Sequence, residues 1–374
     1  LKILYVTTIS NTVNAFLIPH IKLLIEKGNQ VDIACNIVQE VSPELKKLNC
    51  KIHNIEFQRS PFGKSNSIAY KRIKRIVMEE GYNLVHTHTP VASFLTRFAC
   101  RNIPNLKMLY TAHGFHFFKG APLKNWIIYY PIEKLSAKWT DGIITINEED
   151  YLSAKKIMKK DRDVFKVNGV GIDTKKFSPQ TQEIKQKLRK KYGYNDSDFI
   201  LIYVGELSYR KHQDLLIDTV GELNNKIPNL KLLLVGEGPL QLQYQQRVNK
   251  LGLNDNVEFL GFRNDISNLM SLSDMAVSSS RQEGLPVNIM ESMATGLPVI
   301  VTDCRGNSDL VIHNKNGYLI KKEDIKSFAK TIEELYKSDE SIGKFGKAGL
   351  KLVEKYSLNN VLEEMENLYF RYLK

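Results

Sequence analysis

Only four cysteines, Cys35, Cys50, Cys100 and Cys304, occur in the 374 residues, and no two stand at a metal-ligand or redox spacing. That argues against a disulfide scaffold or a structural zinc and for buried free thiols in a reducing compartment. No apolar run approaches the ~18–20 residues that span a bilayer. The opening KILYVTT already reads as a strand, so no signal peptide is expected and the chain is placed in the cytosol. Low-complexity tracts and short repeats are absent as well. What remains is 43% hydrophobic sequence, too long for one ordinary core and suited to two domains of roughly 150–200 residues each.

The formal charge of +12 is unevenly spread. Residues 1–176 hold 27 Lys+Arg against 15 Asp+Glu, a surplus of 12, whereas residues 177–374 hold 26 of each. A basic first half beside a neutral second half suggests that the first domain meets phospholipid headgroups, a lipid pyrophosphate or nucleic acid. A merely solubilising surface is the plainer alternative. Nucleic acid is disfavoured because no nucleic-acid-binding module is recognisable.

Short β-branched runs alternate with amphipathic stretches: KILYVTT, QVDIAC, KIHNIEF, NLVHTH, LKMLYTA, GIITI and VFKVN, with helical patterns at 13–27, 66–80, 91–100, 124–138 and 148–159. A second series runs through FILIYVG, LKLLLVG, NVEFLG, MAVSSS, LPVIVT and GYLI. Repeated βα patterning of this kind predicts two doubly wound parallel sheets, that is, an α/β chain of two Rossmann-like halves. NGVGIDTKKFSP (168–179) marks the connector. The expected domains are therefore 1–170 and 171–356, followed by a last helix in 357–374.

Glu283 and Glu291 lie eight residues apart in RQEGLPVNIMESMATGLPVIVTD. Pro286 suits a first helical position, and Gly296 and Pro298 end the helix, so the spacing predicts a helix over 286–295 with Glu291 inside it and Glu283 in the loop before it. A helix start attracts phosphate. Two carboxylates beside it have hydroxyls as natural partners, with Glu291 suited to a ribose diol and Glu283 to sugar hydroxyls. The alternative is a pair of solvated surface glutamates.

This stretch resembles the Glu-x7-Glu motif of the family 4 retaining glycosyltransferases, which have the GT-B fold, two Rossmann-like domains facing a central cleft. The resemblance extends to Gly205–Lys211, Gly236–Pro239 and Thr302–Asp309 in the second half and to His113-Gly114 in the first. TAHGFHFFKGAP, ITINEEDY and CRGNSDLV are similar to the branch that builds bacterial exopolysaccharide and capsule. It implies transfer from a nucleotide diphosphate sugar, UDP-linked by expectation, to a lipid-linked glycan, by a hexosyl- or N-acetylhexosaminyltransferase at the inner face of the plasma membrane. The last helix is expected to cross back onto the first domain.

In open α/β sheets ligands bind beyond the carboxyl ends of strands. At one such end Gly205 is followed by Arg210 and Lys211, cations able to neutralise a departing diphosphate. Where the family reads Gly-Arg, then Glu-Lys-Gly, this chain reads Gly205-Glu206, then Arg210-Lys211-His212. Lys211 is taken to keep the diphosphate role. Arg210 either supplies the missing cation or is held away by Glu206. The resemblance also puts Gly236, Gly238, Arg263, Gly284, Leu285 and Pro286 beside the donor, and gives His113 a contact with the donor sugar. His113, Lys211, Arg210 and Glu283 are thus the catalytic candidates.

Acceptor or cleft candidates are Ser10, Asn11, Thr12 and Asn14, in a loop read at 7–16 where many relatives carry Gly-Gly, together with His86, His88 and His116. Asp161-Arg162-Asp163 and Asp196-Ser197-Asp198 precede strands rather than follow them, so no catalytic metal and no other cofactor is expected. FHFFKGAPLKNWIIYYPIEK (115–134) interleaves aromatics with Lys119 and Lys124, and Pro131 is expected to bend or end its helix. Combined with Lys71, Arg72, Lys74 and Arg75, it suggests contact with an anionic membrane, the alternative being that the aromatics are core. Two other functions stay open: a nucleotide-sugar epimerase or hydrolase of the same fold, which would consume donor without acceptor, and a silent nucleotide-sugar-binding scaffold. A nicotinamide oxidoreductase is weaker, since Gly236-x-Gly238 lacks the third glycine of the fingerprint.

Overall fold

Runs of branched apolar residues with no polar alternation must be covered on both faces, and here they form two separate parallel sheets. The computed structural model describes residues 1–373 except 59, 61, 62 and 64. Its strands are β1 (Lys2–Ile9), β2 (Gln30–Asn36), β3 (Ile52–Asn54), β4 (Leu84–His88), β5 (Lys107–Ala112), β6 (Gly142–Thr145), β7 (Asp163–Lys166), β8 (Phe199–Val204), β9 (Leu230–Val235), β10 (Val257–Gly261), β11 (Met275–Ser278), β12 (Val299–Thr302) and β13 (Gly317–Ile320). Every run read as a strand is one, KIHNIEF shrinking to three residues.

The first sheet has the order β3-β2-β1-β4-β5-β6-β7 and the second β10-β9-β8-β11-β12-β13. Chain order reverses between β1 and β4, where Val6 pairs with Thr87, and between β8 and β11, where Ile202 pairs with Ala276. Loops diverge to opposite faces at such reversals and leave a crevice beyond the strand ends. The chain divides into two compact units, Leu1–Gly171 with Asn359–Lys374, and Ile172–Leu358.

In the first unit the core includes Leu4, Val6, Phe57, Ile73 and Val85, with a second cluster around Tyr110, Phe115, Phe117 and Ile143. The terminal helix Leu358–Phe370 joins this unit: the Tyr369 hydroxyl bonds to Tyr5 and to His86, and Glu364 accepts the Asn168 backbone N–H at 2.9 Å. In the second unit one cluster runs from Phe199 to Phe345.

Three local expectations need correction. The loop read at 7–16 is not one: β1 runs to Ile9, a helical turn Ser10–Thr12 follows at once, and a wide π-type turn, Val13–Leu17, leads into the helix Ile18–Glu26, in keeping with the helical pattern at 13–27. Ser10 and Asn14 hold it there by bonds to Gln39, Glu40 and Ser42. Of the two outcomes expected at Pro131, ending the helix is not found: the helix continues from Leu123 to Ser136, and Pro131 is exposed, where water can reach a carbonyl that has lost its N–H partner. Finally, Phe115, Phe117 and Phe118 are buried in the core rather than interfacial, whereas Leu123, Trp126 and Ile127 stay exposed.

The helix expected at 286–295 spans Val287–Ala294 with Pro286 as its extended N-cap. It packs on the helix Asp339–Val353, in which Gly346 closes to the backbone of Gly296. A Cβ on Gly346 would lie 2.3 Å from the Gly296 carbonyl oxygen, while one on Gly343, in the same helix, meets nothing within 4 Å. Gly343→Ala is therefore expected to raise stability by about 0.5–1 kcal/mol, and Gly346→Ala to lower it by about 1–3 kcal/mol. Urea unfolding of the two variants checks this; equal effects would remove the close approach as the reason for Gly346.

Candidate functional site

At the β8/β11 reversal two loops are stitched together by their own polar groups. The Arg281 N–H donates to the Arg210 carbonyl at 2.9 Å, and the Ser279 hydroxyl reaches the carbonyls of Lys211 and His212 at 3.0 and 2.6 Å. This brings Glu283 onto the cations that follow β8. Its Oε1 accepts from Lys211 Nζ and from the Ser280 hydroxyl, both at 2.6 Å, and its Oε2 from an Arg210 guanidinium nitrogen at 3.0 Å. Lys211 and Glu283 are both buried, and Arg210 is partly exposed. Burial pushes the Glu283 carboxyl up, but the Lys211 and Arg210 charges and the bonds from Lys211 and Ser280 outweigh it, so it is held below its ordinary range.

Arg210 is paired with Glu283 rather than with Glu206, which is exposed. An ionised carboxylate has about four acceptor positions, and three of those on Glu283 are taken. Glu283 therefore fixes the two cations and has about one accepting position left.

Glu291 is in the opposite condition. Half-buried in the Val287–Ala294 helix, its carboxylate accepts no hydrogen bond from a described residue. Burial pushes it up to about 7, and Lys176 offsets only part of this. The start of this helix is tied to β8 by Asn288, whose side-chain amide donates to the Val204 carbonyl at 2.8 Å.

The glycines in this region make room for other parts of the unit. Gly205 lets the Lys211 stem pass, since a Cβ there would lie 3.3 Å from its Cε. Gly236 and Gly238 let their loop close onto the one after β8: added Cβ atoms would sit 2.3 Å from the carbonyl oxygens of Gly205 and Leu207. Arg263 is engaged by Asp265 at 2.6 and 2.8 Å, and Tyr192 donates to the same carboxylate at 2.6 Å. Gly284 and buried Leu285 continue the turn towards Pro286.

Sequence reading missed what supports Glu283. Buried Arg305 donates to its carbonyl at 2.9 Å, and Gly306, at φ 83, has no room for a side chain because a Cβ would lie 2.7 Å from the Gly284 oxygen. Both lie in CRGNSDLV, where the signal was a family likeness without a role for either residue. Tyr203, which reaches both Ser280 and the Lys211 carbonyl, lies inside an apolar run and gave no signal.

In the first unit His86, His88 and His113 come together, joined by His20. His88 Nδ1 meets His113 Nε2 at 3.1 Å, and His86 bonds to Tyr369 and Thr111 rather than to backbone. Burial, together with the neighbouring imidazoles, pulls His113 down to about 4 and His86 and His88 well below their ordinary value. The cluster is therefore neutral at physiological pH.

Beside it, at the β1/β4 reversal, lies a cavity of about 320 Å³ lined by Thr8, Thr12, Thr89 and His116 among others. Thr89 has φ 68, rare for a β-branched residue, and is held by its bonds to Thr8. Asn11 is exposed, and the side chains of Ser10 and Asn14 are engaged by the neighbouring 39–42 segment. A larger hollow, about 480 Å³, lies around Tyr194, Asn229 and Glu258, at the starts of β8, β9 and β10 and so at the opposite strand ends from Arg210 and Lys211. Among the described residues no group of three or more His, Cys, Asp or Glu is placed to hold a metal.

Removing one member of a buried ion pair leaves the other uncompensated. Lys211→Met and Glu283→Gln are each expected to cost about 3 kcal/mol, and the double variant less than their sum. A double-mutant cycle in denaturant checks this; simple additivity would mean that the pair does not act as a unit. The contribution is present at neutral pH and is lost as the pH falls through the depressed Glu283 value, below the usual carboxylate range.

Residues 2–147 match the family described as Glycosyl transferase 4-like and residues 184–352 that described as Glycosyl transferases group 1. Over its whole length the chain is 40% identical to EpsD of Bacillus subtilis (strain 168), which carries a glycosyltransferase name, and covers 97% of it. It is 30% identical, over 79% of the chain and 77% of the relative, to the UDP-Gal:alpha-D-GlcNAc-diphosphoundecaprenol alpha-1,3-galactosyltransferase of Escherichia coli. Among solved structures, Anabaena HepE in complex with UDP and glucose matches with a TM-score of 0.81 at 18% identity, over 99% of both chains. The chain belongs to the family 4 glycosyltransferases of bacterial polysaccharide synthesis, with the GT-B fold.

Proposed function

We propose that the protein transfers a hexose or N-acetylhexosamine from a UDP-sugar, with retention, to a lipid-linked glycan at an anionic membrane surface. The observation that carries this reading is the contrast within the second unit. Two cations are held in place by one buried carboxylate, and a second carboxylate, Glu291, has its accepting positions open. The first arrangement suits a diphosphate and the second a ribose diol.

In this scheme the bond from the anomeric carbon to the outer phosphate oxygen breaks as the acceptor oxygen bonds on the same face. The acceptor proton passes to the departing phosphate oxygen. Lys211 and Arg210 meet the charge growing there, with no metal invoked, and the start of the Val287–Ala294 helix adds its dipole. Glu283 holds the cations and offers its last accepting position to the sugar. The Escherichia coli relative named above, whose acceptor is a diphosphoundecaprenol, supports the lipid-linked assignment.

The membrane assignment rests on two helices of the first unit that both pack on the helix Pro90–Cys100. The helix Leu123–Ser136 exposes Leu123, Ile127 and Leu135, and the helix Asn66–Glu80 exposes Lys71, Arg72, Lys74 and Arg75. Apolar groups beside basic ones favour an anionic interface. Flotation with anionic vesicles at low salt is expected to carry the protein upward, and Ile127→Glu to weaken this. Sedimentation apart from the vesicles would defeat the membrane assignment.

The donor site predicts its own pH dependence. A diol needs Glu291 as a carboxylate, and the free group titrates near 7. The affinity for a UDP-sugar, whose diphosphate has no proton to lose near neutral pH, is thus expected to rise by up to about tenfold per pH unit below 7 and to level off above it. Glu291→Gln should bind more weakly and show no such slope. Calorimetric titration across the neutral range measures both. If no nucleoside diphosphate binds, or if the slope survives in Glu291→Gln, this donor site is wrong.

A further inference from the structure

His212 stands where the family reads the last Gly of Glu-Lys-Gly, and its side chain brings a set of bonds that glycine could not make. It is buried at the start of the helix Gln213–Leu223, with φ 55 and ψ 46, a left-handed conformation that glycine adopts freely and a residue with a side chain does not. Its Nδ1 meets Asp214 Oδ1 at 2.8 Å, and its Nε2 meets Glu323 Oε2 at 2.9 Å and a guanidinium nitrogen of Arg281 at 3.1 Å. Arg281 also donates from Nε to Glu323 Oε1 at 3.1 Å and from a terminal nitrogen to the Tyr209 carbonyl at 2.7 Å, with its guanidinium carbon 4.1 Å from the centre of the Tyr209 ring. His212 follows β8, Arg281 follows β11 and Glu323 follows the edge strand β13. Three loops therefore meet at one imidazole.

We propose that His212 is a positioning residue for the two cations beside it. The same set of side chains holds the segment at both ends, Tyr209 through Arg281 and His212 through Glu323 and Arg281, and Arg210 and Lys211 lie between. The inference rests on the diphosphate role given to those cations above and adds what fixes the backbone that carries them. Glu283 anchors only the tips of their side chains. Long flexible stems reach one carboxylate from many backbone positions, so the carboxylate alone does not set where the charges lie. Two observations separate this role from that of a turn former. Glycine would give the left-handed turn without an imidazole, so the backbone path does not require His212. Glu323 is itself at φ 64 with an exposed side chain, and exposed ion pairs add little to stability. Its reach from the edge of the sheet to the residue after Lys211 thus has little value except as a tie.

The test uses the full chain, with UDP and UMP as probes, because the ratio of their affinities reads the hold on the outer phosphate. Wild type should prefer UDP. His212→Gly and Glu323→Gly, both tolerated by a left-handed backbone, should each reduce that preference roughly tenfold, the size of a weakened charge-assisted bond. His212→Asn, which suits the turn but is too short to reach Glu323, should behave like His212→Gly, and His212→Gln, an amide of similar reach, should recover most of the preference. Hydrogen exchange over residues 206–213 should quicken in the glycine variants and stay slow in His212→Gln. Circular dichroism checks folding, and Glu323→Gly, on an exposed loop, keeps the test open if His212→Gly does not fold.

A UDP preference that survives in folded Glu323→Gly overturns the proposal. So does quickened exchange with an unchanged preference, which would make these bonds structural only. A wild type that binds UDP no better than UMP defeats the diphosphate role of Arg210 and Lys211, and the proposal with it. A wild-type preference that both glycine variants keep defeats the positioning role alone.

Discussion

One buried carboxylate organises the second unit. Glu283 lies under a turn closed by Arg305 and Gly306, and it draws Lys211 and Arg210 from a loop that follows a different strand. Without an acid at that point, the cations after β8 would repel each other and turn to solvent. Without the cations, a carboxylate this deep would be costly to ionise. The loops after β8 and β9 are then drawn together by close approaches at Gly236 and Gly238 that leave no room for a side chain, and the loop after β11 is bonded to the one after β8 through Ser279 and Arg281. The positions of both cations are thereby set by the protein's own bonds, which is what preorganisation requires.

Much of this was legible in the sequence because burial on both faces leaves an unambiguous trace. Parallel strands read as unbroken branched runs, and all thirteen were visible. The residues that build the site were visible as types at strand ends. Their pairing was not, because a pair such as Arg210 with Glu283 spans 73 positions and depends on which loop folds over which. Ser10 to Asn14 misled for a similar reason. Their side chains suit turns, and only bonds to residues 39–42 hold them in a helical path. Phe115, Phe117 and Phe118 have the same composition whether they face lipid or core, and spacing cannot separate the two.

The first unit meets the same problem with neutral groups. Four imidazoles, His20, His86, His88 and His113, lie around Tyr5 at the end of the sheet, and burial keeps all of them below their ordinary basicity. A neutral cluster adds no charge of its own beside the β1/β4 cavity, yet it has hydrogen-bonding groups and the rigidity of stacked rings. The basic surplus of this unit lies elsewhere, on exposed helical lysines and arginines such as those of the Asn66–Glu80 helix. Net charge and site chemistry are thus separated within one unit, and total charge said little about the site.

The two glutamates make the same point at closer range. They are eight residues apart and identical in chemistry, yet Glu283 is held below the ordinary carboxylate range and Glu291 is pushed up to about 7. Burial acts upward on both. The difference is that Glu283 has two cations and a hydroxyl within bonding distance, whereas Glu291 has only the more distant charge of Lys176. Where two acids share a site, the environments that drive them apart assign their roles. The one already compensated serves the protein by fixing the cations. On the proposed reading, the one left uncompensated gains most from a partner that brings hydroxyls, and the burial that makes Glu291 costly to ionise in the free protein favours a ligand that can satisfy it.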